Sequence, residues 1–380
     1  MVHIDCSPNA AATVPAIPKI HLQFTHLPSA QCTGHRRSAL QSTAIVSGIR
    51  ADPTETNMPT QKPPAPSHPA HAAHQAHTAV TTYTLVTEPD QGLTAIYDLI
   101  ASAQKSIDMT MYELTDVTVM DAFAKAAAGG VTVRVILDQS GNETRTNTPA
   151  YNFLEKNKCS VHWSNPAYAV THQKTITVDA AASAIMTLNL TPTGYKTTRD
   201  FAVITNNAAD VAAIETTFNA DFANAKITPP TGENLVWSPA NATSALLGLI
   251  NGATSALLLS QEEFGDKQMV AAVVAALKRG VQVTLVQENV NNQYNVELTT
   301  MKTAGAKIAT YSSQKGHYIH AKTVLADYGT PNAKLFVGSE NFTTPSLTDN
   351  RELGLIFSDP VCMTGVNAAL ATDFNGGTPF

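Results

Sequence analysis

His172-Gln173-Lys174-Thr175-Ile176-Thr177-Val178-Asp179 and His320-Ala321-Lys322-Thr323-Val324-Leu325-Ala326-Asp327 are two copies of one pattern, His-x-Lys-x4-Asp, in a chain of 380 residues. In an extended segment alternate side chains share a face, so His172 projects with Lys174 and His320 with Lys322. Two such faces brought together give a pocket with two imidazoles and two ammonium groups. Cleaving a phosphodiester through a covalent intermediate needs those groups: a nucleophile, an opposing proton donor for the leaving alcohol, and positive charge over the non-bridging oxygens.

The flanking sequence is duplicated too. Leu85-Val86-Thr87-Glu88-Pro89 matches Leu235-Val236-Trp237-Ser238-Pro239, and Leu99-Ile100 matches Leu249-Ile250. Ser106 to Glu113 has its counterpart in Ala256 to Glu263, and Gly130 to Ile136 in Gly280 to Val286, all at one offset of 150 residues. Four coincidences at a single offset establish an internal repeat. In each copy a helix (Thr94 to Ala103, or Thr243 to Asn251) leads into an apolar strand (Ser106 to Tyr112, or Ala256 to Ser260). A second helix (Val117 to Ala128, or Lys267 to Lys278) ends at Gly129-Gly130 or Gly280, where glycine accepts a left-handed cap. The strand that follows, Val131 to Leu137 or Val281 to Gln287, makes a parallel pair covered by a helix.

The second part of each copy reads as short strands: Thr175 to Val178 and Thr323 to Ala326, Ala184 to Leu188 and Ala333 to Gly338, Phe201 to Thr205 and Leu353 to Phe357. The pattern predicts an α/β class, with two similar mixed-sheet units packed about a pseudo-twofold axis. Expected boundaries are residues 1–80 as a disordered or processed N-terminal region, 81–230 as the first repeat and 231–380 as the second.

Each copy carries further polar residues. Asn189 and Asn341 lie 17 and 21 residues after their histidines, and Arg199-Asp200 and Arg351-Glu352 open the last apolar strand of each copy. A carboxylate behind each imidazole would fix its tautomer and support the imidazolium formed during proton transfer. Taken singly, the asparagines also read as turn residues and the Arg-acid dipeptides as structural ion pairs.

The doubled His-x-Lys-x4-Asp pattern, the run Gly338-Ser339-Glu340-Asn341-Phe342-Thr343 and the following Glu352 resemble the phospholipase D superfamily over about residues 82 to 360. The resemblance implies a duplicated phospholipase D-like fold and a two-step mechanism without metal or other cofactor. In it His172 attacks phosphorus to give a phosphohistidine, and His320 protonates the leaving alcohol and then activates water or an acceptor alcohol. Lys174, Lys322, Asn189 and Asn341, with the hydroxyls of Thr187 and Ser339, are expected to hold phosphate oxygens. Asp200 is expected to orient His172, Glu352 to orient His320, and Asp179 and Asp327 to brace the site. The first copy departs from the pattern: Met186-Thr187-Leu188-Asn189 stands where the second has Gly338-Ser339-Glu340-Asn341. Trp163, Tyr168, His317 and Tyr318 are candidates for the entrance.

Composition narrows the substrate. The chain is 43% hydrophobic and 14% charged, with 24 Lys and Arg against 30 Asp and Glu and a net charge of -6. Beyond residue 80 it holds 27 acidic residues against 19 basic ones, no field for drawing in a nucleic-acid backbone. The expected activity is that of a phospholipase D on glycerophospholipids at a lipid surface, from a monomer with both half-sites in one chain and no membrane span. The alternatives are an endonuclease or other phosphodiesterase of the same superfamily, or a cardiolipin synthase-like phosphatidyltransferase. Residues 36–49, opening on Arg36-Arg37, faintly resemble a misplaced secretory signal, leaving secreted and cytoplasmic locations both open. His68, His71, His74 and His77 punctuate a proline-rich linker. Cys6, Cys32, Cys159 and Cys362 form no CxxC pair.

Overall fold

Asp116 and Asp266 start equivalent helices in the two repeats, each carboxylate accepting hydrogen bonds from the backbone N–H groups two and three residues on. Both helices end as the glycines foretold, with Gly130 at φ 93° and Gly280 at φ 92°. The protein is described by a computed structural model over residues 80–313 and 316–380. The N-terminal region 1–79, with its signal-like segment, histidine tract, Cys6 and Cys32, lies outside the described residues.

The first repeat contributes β1 (Tyr83–Glu88), β2 (Ser106–Met111), β3 (Thr132–Leu137), β4 (Ser160–Trp163), β5 (Thr175–Val178), β6 (Ala182–Met186) and β7 (Thr198–Thr205). The second contributes β8 (Leu235–Ser238), β9 (Ala256–Gln261), β10 (Gln282–Glu288), β11 (Lys307–Tyr311), β12 (Tyr318–Ile319), β13 (Lys322–Ala326), β14 (Lys334–Gly338), β15 (Glu352–Phe357) and β16 (Thr378–Pro379). The first sheet runs β1-β7-β6-β5-β2-β3-β4, and the second runs β8-β15-β14-β13-β9-β10-β11-β16, the same order copy for copy with one added edge strand. Within each, three strands are parallel (β2, β3, β4 and β9, β10, β11) and the motif strand, β5 or β13, joins them antiparallel. The duplicated mixed-sheet α/β architecture is therefore the one expected.

Helices α1 (Thr94–Ala101), α2 (Val117–Ala128) and α3 (Glu143–Lys156) cover the first sheet's own core, built around Ile107, Met109, Phe123 and Ile176. Helices α5 (Ala242–Gly252), α6 (Lys267–Lys278) and α7 (Asn295–Thr303) do the same for the second, around Leu257, Leu259, Met269 and Val324. A third core joins the repeats: Ile185, Phe201 and Val203 pack with Trp237, Leu335, Val337, Leu353 and Leu355, together with residues of α4 (Ala208–Phe222) and α9 (Pro360–Gly376). With α8 (Thr344–Thr348) these complete the α-helices of the described residues.

Two details differ from the sequence reading. Strand β6 spans Ala182–Met186 rather than Ala184 to Leu188, a slip of two residues that leaves the same side chains on the same face. The sequence reading assigned no helix at α3, α4, α7 or α9: α3 is polar overall and contains Pro149, and α9, whose buried residues Cys362, Met363, Val366, Ala369, Leu370 and Asp373 share one face, also carries Val361, Ala368 and Ala371 on its exposed face, which blurs the contrast. Cys159 and Cys362 are buried free thiols.

The repeats also exchange backbone. Strand β12, leading into His320, pairs with β7 of the first repeat, Ile319 opposite Arg199, and Thr171, before His172, bridges to Arg351 of the second. His172 and Gln173 both donate their N–H groups to the Arg351 carbonyl, at 2.9 and 3.0 Å, and His320 donates to the Arg199 carbonyl at 3.2 Å. Each motif histidine thus starts from a strand of the opposite repeat.

Candidate active site

That exchange decides which acid meets which histidine. His172 Nδ1 lies 2.9 Å from Glu352 Oε2, and His320 Nδ1 lies 2.8 Å from Asp200 Oδ1. The expectation that Asp200 orients His172 and Glu352 orients His320 is corrected: the pairs are crossed. The physical reason is the backbone register, since the residue after Arg351 in β15 faces the segment carrying His172, and the residue after Arg199 in β7 faces that carrying His320. With Nδ1 bound to a carboxylate, Nε2 is the nitrogen of each ring left for chemistry.

The arginines of the same dipeptides cross as well. Arg199 grips Asp373 of α9 with two bonds of 2.7 and 3.0 Å, and Arg351 pairs with Asp221 of α4 at 2.9 Å. Arg351 also lies over the Tyr168 ring, its carbon 4.0 Å from the centroid. These buried pairs pin the strands that carry the acids, so the arginines are structural and the acids beside them face the site.

Lys174 and Lys322 are fully buried, and each ammonium donates to the carbonyl of its own motif histidine at 2.6 Å. Burial and then the charge of Lys322 push Lys174 down to about 7. Burial likewise lowers the pKa of His172, against the pull of Glu352. Burial acts to raise Glu352, yet His172, Lys174 and Ser339 together hold it below the ordinary carboxylate range.

Thr187 and Ser339 are not placed to hold phosphate. The Thr187 hydroxyl donates to Asp200 at 2.5 Å and accepts from the Phe201 N–H; the Ser339 hydroxyl accepts from the Leu353 N–H and supports Glu352. Both are wholly buried behind the acids, and the threonine departure in the first copy therefore preserves the hydroxyl's contact. Asn189 and Asn341 direct their amide nitrogens to Glu113 and Glu262, each at 3.2 Å, while their buried Oδ1 atoms have no partner among the described residues. Asp179 and Asp327, at φ 55° and 53°, accept the successive N–H groups of residues 104–106 and 254–256, pinning the starts of β2 and β9.

A cleft of about 170 Å³ opens on His320, lined also by Asp200, Glu88, Glu113, Asn189, Tyr195 and Tyr318. Of the four entrance candidates only Tyr318 lines it. Trp163 stacks on Tyr151, Tyr168 is committed to Arg351, and His317 lies near Asp373 and Tyr311. Burial, Asp200 and Asp90 push Glu88 up to about 7.

Sequence reasoning missed Tyr112 and Glu262, equivalent residues 150 apart at the ends of β2 and β9. Tyr112 packs edge-on against His172, 4.8 Å between ring centres. Glu262 lies 2.7 Å from Lys322 Nζ and 3.7 Å from His320 Nε2. The signal was their position: both immediately follow a parallel central strand on the side where the motif residues gather.

A duplicated α/β chain with two buried histidine–lysine half-sites, each histidine backed by a carboxylate, defines the phospholipase D-like class. The sequence matches the family described as "Cardiolipin synthase, PLD-like domain" twice, over residues 96–222 and 246–376, and the chain belongs to that family. It is thereby a member of the phospholipase D superfamily, whose chemistry is that of phosphodiesters in lipids or nucleic acids. The fold is similar to that of polyphosphate kinase from Porphyromonas gingivalis (TM-score 0.62, 17% identity, 76% of this chain but 46% of that one). It is similar also to that of phosphatidylserine synthase from Haemophilus influenzae Rd KW20 (TM-score 0.61, 13% identity, 78% of this chain and 87% of that one). The chain thus spans under half the length of the polyphosphate kinase. No curated protein sequence matches it.

Proposed function

We propose that the protein is a phospholipase D acting on glycerophospholipids through a phosphohistidine. The observation that carries this reading is the pair of histidines from opposite repeats, His320 buried and His172 partly so, each with Nδ1 on a carboxylate, beside the buried Lys174 and Lys322. In the first step His172 Nε2 attacks phosphorus, the bond from phosphorus to the headgroup oxygen breaks, and His320 gives that oxygen a proton. In the second, His320 takes a proton from water as its oxygen attacks phosphorus, and the phosphorus–nitrogen bond breaks to release phosphatidic acid. Lys174 holds the phosphoryl oxygens, while Asn189, bonded to Glu113, and Lys322 and Asn341, both bonded to Glu262, frame the site. Glu352 positions His172, and Asp200 positions His320. Burial lowers the pKa of His172 and so favours the neutral form, the form a nucleophile requires.

Carboxylates favour lipid over nucleic acid. Glu113 and Asp200 line the cleft on the His320 side, where the leaving alcohol sits, and would repel the neighbouring phosphates of a polynucleotide. Among the described residues no helix is long and apolar enough to cross a membrane. Transfer to an alcohol in place of water is the second reading, favoured by the cardiolipin synthase named in the family's description.

Incubation with phosphatidylcholine and, separately, plasmid DNA, each with EDTA, tests the class. Choline release without nicking is expected. Nicking alone would assign a nuclease, and neither product would end both hydrolase readings. Added glycerol, with phosphatidylglycerol as the readout, separates transfer from hydrolysis.

A further inference from the structure

The two half-sites share a backbone, and each has a carboxylate on its asparagine amide, but they differ in the group beside the motif lysine. In the first, Tyr112 presents a ring to the motif residues, with Lys174 Nζ 5.0 Å from its centroid, and among the described residues Lys174 donates its ammonium hydrogen bond to the His172 carbonyl alone. In the second, the equivalent Glu262 presents a carboxylate. One of its oxygens, Oε2, lies 2.7 Å from Lys322 Nζ, 3.2 Å from Asn341 Nδ2 and 3.7 Å from His320 Nε2, while Oε1 accepts from the Tyr318 hydroxyl.

An ammonium, an amide N–H and an imidazole converging on one oxygen are the donors expected to grasp a phosphoryl oxygen. Burial acts against the charge on Glu262, but Lys322, His320 and Tyr318 outweigh it and hold the carboxylate ionised far below the ordinary range. A structural ion pair would satisfy Lys322 alone; here the carboxylate also takes up the asparagine amide and faces the reacting nitrogen of His320.

We infer that Glu262 occupies an oxygen seat of the second half-site and tunes the site to a phosphate carrying a single negative charge, a diester, against phosphomonoesters and other dianions. The inference rests on the proposed phosphodiester site and names the residue that sets its selectivity. Two ammonium groups without Glu262 would match a dianion. With it, Lys322 is already neutralised, and the cation left to an incoming ligand is Lys174. A monoanion pairs with Lys174 and reaches His172, whereas the second charge of a dianion meets the Glu262 carboxylate at close range.

The test is titration calorimetry at pH 6.5, on the acid side of the value of about 7 for Lys174, with sulfate as the tetrahedral dianion and dimethyl phosphate as the monoanionic diester. The wild type is expected to bind dimethyl phosphate in preference to sulfate. Glu262→Gln, which keeps the shape and removes the charge, is expected to tighten sulfate binding at least tenfold and dimethyl phosphate binding by much less. Glu262→Ala, which vacates the seat, serves if the glutamine variant does not fold. An unchanged ratio of the two affinities, with binding still abolished by Lys174→Met, overturns the inference and leaves the phosphodiester site standing. Binding of neither ion by any of these proteins, or binding indifferent to Lys174→Met, overturns both.

Discussion

Replacing Asp200 by Asn should damage the histidine of the other repeat, and replacing Glu352 by Gln should do the same in reverse. Asp200 Oδ1 stands 2.8 Å from His320 Nδ1 with both residues buried, and Glu352 Oε2 stands 2.9 Å from His172 Nδ1. Taking about 4 Å between charge centres and an effective dielectric of about 20, the carboxylate stabilises an imidazolium by about 4 kcal/mol. That corresponds to about a thousandfold in rate. With phosphatidylcholine both variants should lose about that much, because every step is needed. The two separate with phosphatidyl-p-nitrophenol, whose leaving group departs without a proton. In stopped flow, the first-turnover burst of nitrophenolate reports attack by His172 alone. Asp200→Asn should keep the burst rate within about tenfold of wild type, because only the proton donor is impaired. Glu352→Gln should slow the burst by about a thousandfold, because the nucleophile loses its partner. The opposite pattern, a burst destroyed by Asp200→Asn and spared by Glu352→Gln, would refute the crossed assignment. Equal loss in both, with lowered melting temperatures, would refute a positioning role for either acid.

Three further outcomes are expected. Glu340 is wholly buried, with neither carboxyl oxygen hydrogen-bonded, and burial followed by Glu352 raises its pKa well above the ordinary value. A carboxyl held protonated in the fold costs stability as pH rises above its unfolded pKa. Glu340→Gln should therefore stabilise by about 1–3 kcal/mol in denaturant titrations at pH 8, with the gain vanishing near pH 4; an equal gain at both would show that charge is not the cause. Lys174, pushed down to about 7 by burial and Lys322, should lose its hold on anions as pH rises through that value, so dimethyl phosphate affinity should fall above pH 7. Lys174→Arg should bind without that fall, and an unchanged pH profile would refute the lowered ammonium. Arg351→Met should destabilise by about 3–5 kcal/mol by leaving Asp221 buried without its partner, with Arg351→Met/Asp221→Leu recovering most of the loss in chemical melts.

The sequence by itself determined the architecture and the inventory of the site. A 150-residue repeat, helices closed by glycine, and apolar strands between them are local properties, set by periodicity and backbone preference within a few residues. The doubled motif likewise named His172, Lys174, His320 and Lys322 because spacing along one strand fixes which side chains share a face. The partners of those residues could not be read this way. Asp200 follows His172 by 28 residues but serves His320, because β12 and β7 pair across the repeats and the register of that pairing has no trace in local sequence. The same exchange turned Arg199 and Arg351 into ties to Asp373 and Asp221 and withdrew Thr187 and Ser339 behind the acids. Glu262 is the plainest case. Its place in the repeat equals that of Tyr112, and only the packing of β9 beside β13 puts its carboxylate on Lys322, where one residue makes the two halves of a symmetric fold electrostatically unequal.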